Sequence, residues 1–387
     1  MKLLIDFFLK GYILPLFYFI WVLTDFWSSK MNLTRIDATQ TRSLAYATYF
    51  LVGYSILILL QGKIRQRGIH TICVLWCILM PLFIFLSHGK LLDYAQTVLW
   101  PLLFEAAWII IRNNRINIKL FQKLFYLAFI YGTFVFIFSD RFTEGQTNTI
   151  YFSLLTLPWI LFNKSKKTQM IIMLVFSALA IYSLKRSAMM AIAGCWFVYF
   201  LLFIKGKKTL WLLLSLILIL PFSSFIIDYA DREMGGSLTE RINREETDEG
   251  TNRLAIYEVT MAMIGASEPT EFVVGHGHYA VYKNSILEKS AHNDMLEVIY
   301  DYGIIIFALY LCLWIFVIRR SVQLFREGSV LFFPYASSVM IFVIISSVGH
   351  LILYTSYFNY IVLFWGSAEA IMPILKFRKS HENSICH

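Results

Sequence analysis

The sequence predicts an all-α fold, a polytopic membrane helix bundle of about twelve transmembrane helices. Three observations carry this reading. Of 387 residues, 58% are hydrophobic and only 15% charged, with a mean hydropathy of +0.63, whereas a soluble globular domain carries roughly 25% charged residues. Several apolar runs exceed the roughly 18 to 20 residues that cross a bilayer core. The alternating segments of about ten residues that mark a transmembrane barrel are not seen.

In chain order the apolar spans are expected near 11–27, 44–60, 69–87, 91–111, 120–138, 149–162, 169–184, 188–204, 209–227, 292–318, 330–349 and 353–374. The first begins after Lys10, holds Pro15 and Trp21 and lacks a small-x-small cleavage pattern, so it reads as a retained signal-anchor helix. Residues 1–387 are expected to form a single integral membrane domain, with 228–291 as one long outer loop within it. That loop has acidic pairs at Glu245-Glu246 and Asp248-Glu249 and a Gly235-Gly236 pair. The run 252–263 has helical periodicity behind Thr251, which predicts an amphipathic helix, and Gly275-His276-Gly277-His278 reads as a tight turn. A loop of this length is usually functional.

The formal net charge of +9 needs no nucleic-acid partner. With both termini cytoplasmic, the segments 1–10, 61–68, 112–123, 163–168, 205–208, 319–328 and the tail after 374 hold most of the 34 Lys and Arg, as the positive-inside rule demands. Four of the five cysteines, Cys73, Cys77, Cys195 and Cys312, fall in apolar spans and Cys386 in the tail, so no disulfide framework is implied. Cys73 and Cys77 stand at i, i+4 without an evident third ligand and read as packing. No Walker A, dinucleotide or zincin motif appears. No cofactor and no metal are expected.

The polar residues at the outer ends of the spans carry the candidate chemistry. In Ala291-His292-Asn293-Asp294-Met295-Leu296-Glu297, an imidazole, an Asp and a Glu sit at the mouth of an apolar span. A lone His near a helix start is usually a structural hydrogen-bonder, but here carboxylates lie close by and the long loop faces it. His292 can take a proton from a hydroxyl and release it. Asp294 or Glu297 can orient the ring, and Asn293 reads as the helix cap. Lys185 and Arg186 lie between two spans. They either snorkel to head groups or bind a phosphate or pyrophosphate, a task that suits a guanidinium. Arg253 stands at the start of the loop helix, where the helix field attracts anions, or else pairs with Glu249 or Glu258 at the surface. Arg42, with Lys30 and Arg35, extends the basic lining less strongly. His350, Tyr354 and Tyr357 read mainly as interfacial anchors and secondarily as sugar or lipid contacts. His276 and His278 lack a third metal ligand.

In order, the chain has Arg186-Ser187 at the outer end of a middle span, Arg253 with Tyr257 four residues on, Pro269 before Gly275-His276-Gly277, and His292 to Glu297 running into Asp301-Tyr302-Gly303. This arrangement resembles the membrane family of O-antigen ligases and Wzy-type O-antigen polymerases, lipid-dependent GT-C-like glycosyltransferases. The first half matches it only in general hydropathy. The chain departs from the family in having Lys185 where Ser is common before the first Arg, and Tyr257 where Trp is common after the second.

The resemblance implies a glycan donor on undecaprenyl pyrophosphate, a glycan acceptor, and a site on the periplasmic face of the bacterial inner membrane. It implies Arg186, Arg253, Lys185 and Arg42 at the pyrophosphate, and Tyr257, His276 and Tyr354 at the glycan. His292 would act as the catalytic base, with Glu297 and Asp294 in support. A polymerase, with a chain-length regulator as a partner, and a ligase that hands the glycan to lipid A-core both fit. The abundance of Phe and Tyr (34 and 22 residues) favours the divergent polymerases. A lipid-linked glycan flippase is the reading from another class, but it should place charges near mid-bilayer, where these candidates do not cluster.

Overall fold

The computed structural model describes residues 38–60, 62, 68–87, 89–113, 118–138, 150–183, 185–202, 253–352 and 355–385, with the side chains of 38–44, 135, 138, 253–254, 355–357 and 374–385 excepted. The expected spans 11–27 and 209–227, and residues 228–252 of the long loop, lie outside the described residues. Thirteen helices and no strand occur among the described residues. They are α1 (Ala38–Leu59), α2 (Ile69–Leu86), α3 (Leu91–Arg112), α4 (Ile118–Phe138), α5 (Ile150–Leu161), α6 (Lys166–Tyr182), α7 (Arg186–Leu201), α8 (Arg253–Gly265), α9 (Pro269–Val274), α10 (Ala280–Asn284), α11 (Asp294–Arg326), α12 (Phe332–Val348) and α13 (Thr355–Ile385).

Two helices form the centre. α3 is packed by α1, α2 and α13, and α5 by α4, α6, α12 and α13. Close approach explains the first group: a Cβ on Gly366 of α13 would lie 2.4 Å from the Phe104 carbonyl oxygen of α3. Aromatic contacts bind the second group. Phe125 stacks on Trp159 at 4.5 Å, and the Trp159 indole donates to the Tyr360 carbonyl.

Among the described residues three helices, α2, α3 and α11, are long and apolar enough to cross a bilayer. The expected span 149–162 corresponds to α5, whose twelve residues are all buried. At 1.5 Å per residue it covers about 18 Å, short of the roughly 30 Å hydrocarbon core. Its apolar sequence is satisfied by protein rather than by lipid.

The expected continuous span 292–318 is broken. Gly303 has φ 76, ψ 175 inside α11, so Asp294–Tyr302 forms a separate short helix ahead of the long apolar one. The break is filled by the turn after α9. A Cβ on Gly303 would meet the Val273 carbonyl oxygen at 2.2 Å, and one on Gly275 would meet the Asp301 carbonyl oxygen at 2.3 Å. The Gly277 amide donates to Asp301 and the His276 amide to Tyr300. The two glycine motifs, far apart in sequence, are thus one backbone-to-backbone crossing. Gly303→Ala is expected to lower stability by at least about 2 kcal/mol, because the methyl strikes backbone and φ is positive. Gly53→Ala, a helical position with nothing within 4 Å, is expected to be neutral or slightly stabilising. Thermal unfolding of both variants in detergent checks the contrast.

Candidate functional site at the start of α11

Asn293 caps α11. Its side-chain oxygen accepts from the amides of Met295 (2.9 Å) and Leu296 (3.3 Å), and its Nδ2 donates to the Ser347 carbonyl at 3.0 Å. Asp294 is fully buried. Its carboxylate accepts from the Leu351 and Ile352 amides at 3.1 and 3.2 Å and from the Tyr310 hydroxyl at 3.3 Å. Together these two residues lash the chain that leaves α12 onto the first turn of α11. The structure therefore places Asp294 in a scaffold position, with both oxygens engaged by backbone.

That lashing brings His350 to His292, with ring centroids 4.6 Å apart. His350 Nδ1 lies 3.1 Å from Glu297 Oε1, and Glu297 is almost fully buried. The Glu297 carboxylate also takes backbone hydrogen bonds from Ala291 and His292. His292 itself has φ 51, in the left-handed region, which costs a non-glycine residue of order 1 kcal/mol or more. The cap at Asn293 and the carboxylate of Glu297 hold it there. His292 is half-buried, as is Asn293, between the buried Ala291 and Asp294.

Arg186 opens α7, which runs antiparallel to α12. Tyr199 meets Phe333 at 5.2 Å, Cys195 faces the Ser337 carbonyl, and a Cβ on Gly194 would touch Met340 and Ile344. Eight residues back from Gly194, about 12 Å along the axis, stands Arg186; about 6 Å past Ile344, α12 ends. The start of α7 and the His292–His350 pair therefore share one end of the bundle. Lys185 is held close to α5: its ammonium lies 5.7 Å from the Tyr151 ring centroid, and its amide donates to Ser183 Oγ. Tyr151 also hydrogen-bonds Ser187.

The loop helix appears as expected, as α8, with Ile256 and Thr260 on its buried side. Met263 and Ile264 pack with Ala291, Leu296 and Tyr300. The backbone of Arg253 lies about 15 Å along α8 from Met263; its side chain, like that of Arg42 in α1, is outside the described set. Tyr257 is half-buried. Tyr354 lies outside the described residues.

His276 stacks on Tyr300 at 4.0 Å. Its Nε2 lies 3.2 Å from Glu271 Oε2 and its Nδ1 is 3.2 Å from the Tyr300 carbonyl. It braces the glycine crossing. His278 is buried, with Nδ1 bonded to the Tyr302 hydroxyl and Nε2 without a hydrogen-bond partner among the described residues. Burial lowers its pKa to about 4, aided by Lys283 and opposed by Asp93. A buried imidazole held neutral adds stability that is present above the ordinary value near 6.5 and lost as pH falls toward 4, on the order of 3 kcal/mol over that window. Thermal midpoints between pH 7 and pH 4 are expected to fall less steeply for His278→Asn than for the native chain.

Sequence reasoning treated His350 mainly as an anchor and missed it as the partner of His292. The available signal was the polar break Ser346-Ser347-Val348-Gly349-His350 between two apolar spans. Glu271 was also missed; it meets His276 five residues on, where the chain turns at Gly275.

No curated protein matches the chain. Residues 171–311, from within α6 to within α11, are similar to the family model described as O-antigen ligase.

Proposed function

We propose that the protein is a periplasmic-face polysaccharide polymerase of the bacterial inner membrane, transferring an O-antigen glycan from undecaprenyl pyrophosphate to a hydroxyl of an acceptor glycan. The family match supports glycosyltransferase activity of the O-antigen ligase and polymerase type in general. The observation that carries the finer reading is the strained, half-buried His292, its ring tilted against His350 beside Glu297, at the end of the bundle where Arg186 opens α7.

In the proposed reaction the acceptor oxygen attacks the anomeric carbon and the bond from that carbon to the pyrophosphate oxygen breaks. The electron pair leaves with the lipid diphosphate, and the acceptor proton passes to His292. Two adjacent imidazoles do not both carry charge cheaply. His292 is the proposed base, with His350 and Glu297 packed beside it to hold its position. Arg186 and Arg253, with Lys185 and Arg42 as outer charges, stabilise the diphosphate as negative charge grows on it. Tyr257, His276 and Tyr354 are the proposed glycan contacts. Donor, acceptor and bilayer are the partners, and a chain-length regulator is a further one.

The ligase is the second reading, favoured by the description of the matched family model. A lipopolysaccharide ladder from a deletion strain separates the two. Core carrying one repeat unit supports the polymerase; bare core with long glycan left on the carrier lipid supports the ligase; glycan retained on the cytoplasmic side supports a flippase instead.

A further inference from the structure

At the other end of α11, some 24 Å beyond Gly303, the long helix and the start of α2 line an open cavity of about 510 Å³. α11 supplies Cys312, Ile315, Phe316, Arg319 and Gln323, one stripe at helical spacing. The stripe runs from apolar to cationic toward the helix end. Cys312 and Arg319 are exposed, and Ile315 is 54% exposed. α2 supplies Ile72 and Gly68. Gly68 has φ 63, and a Cβ there would lie 2.6 Å from the Phe316 ring, so glycine permits the start of α2 to come this near.

The rim is built as well as charged. Arg320 donates Nε to Glu369 Oε1 at 2.6 Å, pairs its Nη2 with Glu369 Oε2 and donates Nη1 to Gln323 at 2.7 Å. Its charge is thereby offset by a buried carboxylate, and Gln323 is fixed in place. Arg319 has no ion-pair partner among the described residues. The N-terminus of α2 opens on the same space and carries no side-chain cap, so its first amides and the helix field favour an anion there. Lys63, Arg65 and Arg67 immediately precede it. These basic segments are the ones that charge bias puts at the cytoplasmic leaflet, the anionic one.

We propose that this cavity binds one anionic phospholipid, its phosphate between Arg319 and the start of α2 and an acyl chain along Ile72, Cys312 and Ile315. A soluble anion would leave the apolar flank unused, and a zwitterionic lipid would bring, beside its phosphate, an ammonium that Arg319 and the start of α2 repel. The site is separate from the proposed chemistry and stands whether or not that chemistry does.

Native mass spectrometry of the full chain in detergent, incubated with phosphatidylglycerol or with phosphatidylcholine of equal chain length, tests it. The native protein is expected to retain phosphatidylglycerol preferentially, and Arg319→Gln to cut that preference about fivefold, the effect of one basic residue at a membrane surface. Cys312→Trp, which fills the floor without altering charge, is expected to reduce phosphatidylglycerol retention. Both side chains are exposed, so neither change removes core packing. Equal retention of the two lipids by the native chain, or full preference surviving in both variants, would overturn the proposal.

Discussion

His292→Ala is expected to abolish glycan extension, by about 10² to 10⁴-fold in rate, while the protein accumulates normally in the membrane. The separation of activity from stability follows from the local structure. His292 is half-buried, and the turn it occupies is held by groups that the substitution leaves intact: the Asn293 cap and the Glu297 carboxylate on the backbone of Ala291 and His292. Alanine in the left-handed region pays a modest backbone cost but removes no buried contact network. What it does remove is the imidazole that stands beside His350 and Glu297. Normal glycan banding from this variant would take His292 out of the mechanism.

Arg186→Ala is expected to cost about 10² to 10³-fold, the usual effect of deleting one charged stabiliser of a departing anion. Arg186→Lys should recover part of that loss, since it keeps the charge and gives up the two parallel hydrogen bonds. Lys185→Ala should be milder, because that ammonium is held near Tyr151. Immunoblots and lipopolysaccharide ladders of the three variants in a deletion strain distinguish the effects. Equal banding in all three would detach this end of α7 from the reaction.

The local features of the site were legible in the sequence. The cap at Asn293, the loop helix from Arg253 and the Gly275–Gly277 turn depend on short-range spacing and appear as read. The helices α2 and α3 match their hydropathy runs within a residue or two. What the sequence concealed depends on contacts across the fold. His350 stands 58 residues from His292 and meets it only because Asp294 binds the backbone of Leu351 and Ile352. The break at Gly303 could not be told from an ordinary helical glycine until Val273 was seen against it. α5 is as apolar as a membrane span yet is buried on every side, since hydropathy measures what a segment tolerates and not whether lipid or protein surrounds it.

The most direct test of the account is a transfer assay with the purified full chain in lipid nanodiscs and undecaprenyl-pyrophosphate-linked repeat units. The native protein is predicted to build glycan chains on the carrier lipid without added nucleotide or metal, and folded His292→Ala protein to build none. Undiminished chain formation by folded His292→Ala protein would contradict the claim that His292, beside His350 and Glu297, is where the acceptor loses its proton.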